Sequence, residues 1–316
     1  MRSEPVVCAV PQDPPRTGAY LTLAALALVW GSSYILIKES LVALSAYQVG
    51  CLRMTLAAAA FAPAAWRHCR GLSAKRLGTL AVVGLCGTGL PSLLFPLAQR
   101  TLSSSLAAAL SSLTPLMTAA ISVAAFGLVV TRWRLLGVAV GLAGALTLVA
   151  GRYGWPTGGR GEAWPTGAIL LAIGGTVCYA LSSNLVKRYL PASPPLQVTA
   201  GAMAPLGPLG VGGLVIGGGL PLTAAAAGIP DAGALVYAYA AVAFLALVGT
   251  AAASYLFFRL VQLTDPVFAS SVSYLVPIVA LGWGLLAGEV VNVAIVGGLA
   301  LVLAGVWLSG RRDSRT

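Results

Sequence analysis

The chain has 316 residues, 58% of them apolar and 9% charged, with a formal net charge of +11 and a mean hydropathy of +0.91. About a quarter of the residues of a soluble globular chain are charged, so this composition excludes that class and points to a polytopic membrane protein. The basic excess does not imply a nucleic-acid partner, because the lysines and arginines stand in ones and twos between apolar segments, as topology signals do.

Residues 1–18 are polar and proline-rich, without the apolar core and cleavage site of a signal peptide, and read as a disordered cytoplasmic tail. A bilayer-spanning helix needs about 20 mostly apolar residues. Ten segments qualify: 19–37, 47–66, 77–97, 104–123, 135–150, 166–186, 196–216, 235–257, 266–286 and 291–308. The fifth is short, and prolines or glycines interrupt the third and seventh. The fold expected is all-α, with ten transmembrane helices. With a cytoplasmic N-terminus, 14 of the 19 lysines and arginines fall on the cytoplasmic side and four outside, the remaining one being Arg53 within the second helix. That bias places both termini in the cytoplasm.

The chain repeats itself. Trp30 to Lys38 reads WGSSYILIK, and 149 positions later Tyr179 to Lys187 reads YALSSNLVK, with Gln48 falling on Gln197 at the same offset. SSSLAAALSSLTP at 103–115 aligns with DPVFASSVSYLVP at 265–277 at an offset of 162, and Gly137 and Gly144 fall on Gly298 and Gly305 at 161. A longer loop at 217–230 accounts for the growing offset. Five helices per half is an odd number, so the second half inserts upside down. The reading is therefore two inverted five-helix repeats, 19–151 and 166–310, joined by an extracytoplasmic linker at 152–165 and closed by a cytoplasmic tail at 311–316. Halves of opposite topology can exchange conformations and open a central site to each side in turn, a construction common among secondary transporters.

Pro115 and Pro277 sit at matched positions near mid-membrane, and each frees the carbonyl four residues earlier, at Ser111 and Ser273. Around them stand Ser112 and Thr114 in one half and Ser270, Ser271 and Tyr274 in the other. Such groups must be satisfied by protein, water or substrate. They read either as kinked packing helices whose hydroxyls bond back to their own backbone or as a cavity lining, and the match between halves favours the lining. The repeated stretch adds Trp30, Ser33 and Tyr34 with Tyr179, Ser183 and Asn184; the third helix adds Pro91 and Phe95, and the eighth adds Thr250, Ser254 and Tyr255. Aromatic walls would suit a mildly amphipathic solute, although aromatic residues also fill cores. Arg53 is the one formal charge well inside a helix. It reads as a structural residue that snorkels or pairs with a neighbouring helix, or as the partner of a substrate carboxylate.

No carboxylate stands at mid-membrane, and the single histidine, His68, lies in a basic loop, so a proton relay has no evident member. There is no phosphate-binding GxxxxGK[ST] loop, and no base stands near the membrane serines. The five cysteines lack CxxC spacing and read as structural thiols. No enzymatic activity, metal or cofactor is expected.

Ala27-Leu28-Val29-Trp30-Gly31-Ser32-Ser33, Leu52-Arg53, Leu113-Thr114-Pro115, Leu275-Val276-Pro277, Gly288-Glu289, Gly297-Gly298 and Ala304-Gly305 together resemble the EamA-type transporters of the drug/metabolite transporter superfamily. The resemblance runs from about Leu21 to Leu308. It implies ten helices with cytoplasmic termini and a substrate pathway lined mainly by helices 1, 3, 4, 6, 8 and 9. It also implies alternating access without ATP, and export of amino acids and related metabolites. Arginine is usual in the family at the position of Arg53, which favours a structural role there. The Gly-Glu pair often found after helix four is missing: residues 126–130 read FGLVV, leaving Glu289 as the one copy. The expected partners are a small-molecule substrate and the lipid bilayer of the bacterial inner membrane. Other readings are transport of drugs, sugars or lipid-linked head groups, and a non-transporting scaffold or sensor. Glycine spacings such as Gly137-xxx-Gly141 and Gly213-xxx-Gly217 serve packing within one chain as readily as between chains, so they leave monomer and dimer both open.

Overall fold

The computed structural model describes residues 16–126, 132–153, 165–286 and 293–309. The helical runs are α1 (Arg16–Ser40), α2 (Ala46–His68), α3 (Ala74–Ala98), α4 (Ser104–Ala125), α5 (Arg132–Tyr153), α6 (Thr166–Tyr189), α7 (Pro195–Ile216), α8 (Ala232–Leu263), α9 (Pro266–Leu286) and α10 (Val293–Ser309). No strand occurs among the described residues. Eight runs are long and apolar enough to cross a membrane, while α5 and α10 carry the shorter apolar stretches Leu135–Gly144 and Val296–Gly305. Gly288 and Glu289, residues 127–130, Arg160 and Glu162, and most of both tails lie outside the described residues.

Local chemistry sets the helix starts. Ser45 Oγ accepts from Gln48 N while Gln48 Oε1 accepts from Ser45 N, a reciprocal cap at the head of α2. Asp265 accepts from Phe268 N at 2.9 Å with Pro266 in the first turn of α9, the arrangement expected of an Asp-Pro pair.

The interiors are less regular. Both α3 and α8 widen into π-helical turns, at Leu85–Gly89 and Leu245–Ala252. In α4 the helix breaks at Ser112 and Leu113 and restarts at Thr114, so Pro115 occupies a first turn where its missing N–H costs nothing. In α9 the break comes earlier, at Ser271, and Pro277 stays inside the second piece. The two kinks therefore do not occupy matched positions, although the two prolines do. In α7, Ala204 and Pro205 interrupt the helix as the sequence suggests.

Packing follows a rule of exchange. α2 lies on α7 and α5 on α10; α1 meets α9 as α6 meets α4, and α1 meets α8 as α6 meets α3. Swapping the two halves maps each pair onto itself or onto another pair in the set. Gln48 Nε2, in the first turn of α2, donates to Gly219 O just past the end of α7 at 2.8 Å, and Gln197 Nε2, in the first turn of α7, donates to His68 O at the end of α2 at 2.6 Å. Each helix starts where the other ends, so α2 and α7 run antiparallel. The repeated lysines are equally matched. Lys38 Nζ donates to Gln99 O at the end of α3, and Lys187 Nζ to Gln262 O and Thr264 O at the end of α8, where cations complement the helix dipole.

Small residues let the helices approach closely. A Cβ at Gly84 would stand 1.8 Å from the Ala202 carbonyl oxygen, so α3 and α7 touch backbone to backbone there. Gly141 faces the Tyr274 ring, and Gly213 and Gly217 face Tyr47, so these glycines serve contacts within the chain. Large apolar side chains such as Leu209, Val215, Ile216 and Leu286 point outward, as residues solvated by lipid do.

Candidate functional site

A cavity lies between the halves. α1 contributes Trp30, Ser33, Tyr34 and Ile37; α2 contributes Arg53; α3 contributes Gly87 and Phe95; and α4 contributes Ser111 and Thr114. From the second half come Tyr179 and Ser182 of α6, Ser254, Phe257 and Phe258 of α8, and Ser270, Val272, Ser273 and Val276 of α9. Water-sized occupants have about 70 Å³ there. That admits a few waters and falls short of the roughly 300 Å³ at which small-molecule pockets begin. The halves are drawn together over the site.

Aromatic rings form one wall: Tyr34 meets Phe95 edge-on at 5.7 Å, and Phe95 stacks on Tyr179 at 5.8 Å. A second pair, Trp30 and Phe257, sits at 5.3 Å. Trp30 Nε1 donates to Gly249 O at 2.9 Å, a carbonyl within the π-helical turn of α8. The two π turns hold equivalent contacts. A Cβ at Gly87 would stand 2.5 Å from Ser182 Oγ, and one at Gly249 3.0 Å from Ser33 Oγ. Each glycine admits the serine of the opposite half to the backbone, and Ser182 Oγ donates to Val83 O at 2.9 Å. π turns recur at functional sites because they re-aim side chains without ending the helix.

Arg53 is the single formal charge among the lining residues described. It is buried, 7% exposed, and its Nε donates to Thr250 Oγ1 at 2.6 Å. Thr250 Oγ1 in turn donates to Leu245 O at 2.8 Å, so the π turn of α8 holds the hydroxyl that holds the guanidinium. No carboxylate lines the cavity among the described residues.

The sequence matches one family twice, over residues 17–150 and 166–311, and that family is described as EamA-like transporters. The chain belongs to the EamA-like transporter family. It is 28% identical over 272 residues to the uncharacterized inner membrane transporter YedA of Escherichia coli strain K12, across 83% of this chain and 81% of YedA. The same figures hold for YedA of Escherichia coli O157:H7. A protein crystal structure with 20% sequence identity superposes with a TM-score of 0.66 over 93% of this chain and 96% of the other, which shows a shared fold. The family and these relatives are described as transporters rather than enzymes.

Within this EamA-like chain the residues singled out from the sequence divide in two. Trp30, Ser33, Tyr34, Arg53, Phe95, Ser111, Thr114, Tyr179, Ser254 and Ser270 border the cavity. Ser112, Ser183, Asn184, Thr250, Ser271 and Tyr274 are buried elsewhere, and Tyr255 and the three prolines Pro91, Pro115 and Pro277 do not border it either. Asn184 joins α6 to α4, accepting from Ser122 Oγ at 2.6 Å and donating to Thr118 O and Ala180 O. Ser183 donates to Tyr179 O and Ala180 O, and Ser271 to Phe268 O, bonds within their own helices. Of the carbonyls freed by proline, Ser111 O accepts from Thr114 Oγ1 at 2.7 Å and Ser273 O from Ser112 Oγ at 3.1 Å. Protein hydroxyls thus meet both carbonyls, and the lining serines present their edges rather than open backbone. Ile37, Gly87, Phe257, Phe258, Val272 and Val276 were not singled out from the sequence. For Gly87 a signal existed, the run of Gly84, Gly87 and Gly89 inside one apolar helix. Among the described residues Cys51, Cys69, Cys86 and Cys178 are free thiols, and no cluster of three or more metal-ligating side chains occurs.

Proposed function

We propose that this EamA-like protein is a secondary-active or facilitative transporter that exports small metabolites, amino acids or related compounds, across the bacterial inner membrane by alternating access. The observation that carries the reading is Arg53: one buried guanidinium beside aromatic and hydroxyl side chains, in a cavity built from exchange-related helices of both halves. A substrate carboxylate complements the guanidinium, and its apolar part complements Trp30, Phe95 and Tyr179. The contracted cavity fits an occluded state from which the halves part in turn towards either face.

The reading includes ten spans in two inverted repeats, 19–151 and 166–310, with both termini in the cytoplasm. The antiparallel pairing of α2 with α7 supports the inversion. The transport cycle needs no cofactor, and a single chain carries both halves of the site.

Counterflow in proteoliposomes tests it. Liposomes preloaded with unlabelled amino acids should accumulate labelled ones with and without a pH gradient, since no carboxylate borders the cavity among the described residues. Accumulation only with a gradient would contradict the facilitative form. Absence of amino-acid flux in folded protein, with flux of a sugar instead, would favour the reading in which the rings stack on a sugar face and the serines bond its hydroxyls.

A further inference from the structure

The end of the bundle that carries the loop between α1 and α2 holds a second cavity, of about 610 Å³, bordered by Lys38, Leu41, Leu44, Leu97, Gln99 and Arg100 among others. The exchange rule exposes what is unusual about it. At the other end, Gln262 Nε2 donates to Leu190 O and Ser193 O of the loop between α6 and α7, both at 2.8 Å, while Lys187 holds the Gln262 carbonyl. At this end Lys38 holds the Gln99 carbonyl at 3.2 Å in the same way. Yet the Gln99 amide, 0% exposed, leaves both Nε2 and Oε1 without a hydrogen-bond partner. The equivalent loops have equal length, Ser40 to Ala46 against Tyr189 to Pro195, so no insertion explains the difference. One loop closes on its glutamine and the other leaves a cavity beside it.

The structure assigns this cavity as a binding site for an anionic group, a carboxylate or phosphate, separate from the central cavity and independent of the transport reading. An orphaned buried amide costs the full desolvation of its polar atoms, so the site is built for a partner that supplies what the loop does not. The Lys38 ammonium and Arg100 guanidinium add two cationic donors, and no acidic residue borders the cavity among those described. Glu39, next to Lys38, is exposed and is not part of the lining. An anion in the cavity would accept from Lys38 Nζ and the Arg100 guanidinium, and from Gln99 Nε2 once that amide, closed off in this structure, turns into the cavity. A protonated or hydroxyl-bearing neighbour on the same ligand, or a bridging water, would donate to Gln99 Oε1. The ligand comes either from solution or from a phospholipid headgroup at the bilayer surface.

Melting temperature of the purified full-length protein decides between these outcomes. Sodium phosphate is titrated against sodium chloride at equal ionic strength in detergent, and phosphatidylglycerol is compared with phosphatidylcholine in nanodiscs. The wild type should gain a saturable phosphate-specific rise, which identifies a free anion, or a rise with phosphatidylglycerol alone, which identifies a headgroup. Arg100→Gln, at an exposed position, should raise the half-saturating concentration about tenfold, the loss expected for one charge-assisted hydrogen bond. Gln99→Leu removes the orphaned groups, and should melt no lower than wild type without anion and lose the response. Equal effects of phosphate and chloride together with no effect of phosphatidylglycerol would overturn the assignment, as would variants that respond like wild type.

Discussion

The Ser112 hydroxyl donates to the Ser273 carbonyl at 3.1 Å, tying the break in α4 to the helix of α9 that carries Pro277. Pro277 has no N–H to offer that carbonyl, so the opposite half of the protein supplies the donor. Ser112→Ala should therefore destabilise the protein by about 1–3 kcal/mol through a buried carbonyl left bare. Pro277→Ala restores a backbone donor, and in that background the loss of Ser112 should be nearly silent. A double-mutant cycle on unfolding in detergent measures the coupling, and additive losses would count against the pairing.

Arg53 discriminates between two roles by what it does to different solutes. If its guanidinium receives a carboxylate, Arg53→Gln should lower counterflow efficiency for an amino acid about tenfold or more, and leave the matching amino-acid amide nearly unaffected. Equal losses for both would assign Arg53 to its bond with Thr250 and the π turn of α8.

Gly84 and Gly212 make a sharp contrast. Gly84→Ala drives a Cβ against the Ala202 carbonyl, backbone on backbone with no side chain to swing away, and should cost about 1–3 kcal/mol or block folding. Gly212→Ala meets nothing within 4 Å and should be neutral or stabilising by up to about 1 kcal/mol from helix propensity. Melting temperatures in detergent rank the two, and the reverse order would refute the close α3–α7 contact.

The lysines at the ends of the repeats should differ in weight. Lys187 reaches two carbonyls around the end of α8, those of Gln262 and Thr264, where Lys38 reaches one just past α3. Lys187→Met should lower the melting temperature more than Lys38→Met, each within about 0.5–3 kcal/mol. A larger loss from Lys38→Met would show that its ammonium is engaged beyond the Gln99 carbonyl.

The residue-level legibility of this chain follows from what repeats and what does not. Lys38 with Lys187 and Gln48 with Gln197 were visible as pairs, because each performs one chemical task twice and so survives at a fixed offset. Trp30, Tyr34, Tyr179 and Arg53 were visible because a polar or aromatic group within a lipid-spanning helix needs a partner. Which face each group takes was not legible, since helices apolar on all sides carry no periodic stripe to orient them. Asn184 and Ser112 accordingly bond helix to helix, and Phe257 and Phe258, which the sequence did not single out, border the cavity. The π turns left little trace because an extra residue in one turn changes geometry without demanding a particular side chain. The unequal kinks of α4 and α9 show that a proline marks where a helix can break, while neighbouring contacts choose the residue that does.

The π turn at Leu245–Ala252 also decides where α8 can absorb a change of length. Each residue advances an α-helix by about 100°. Deleting one residue within the turn would relax it to an α-helix and leave the helix beyond near its present phase, because the wider turn already holds the surplus residue; deleting one from the regular helix before it would rotate everything beyond by about that angle. Ser254, Phe257 and Phe258 would then swing away from the cavity as a block, even though none of them had been altered. A missing alanine is therefore absorbed inside the π turn and harmful ahead of it.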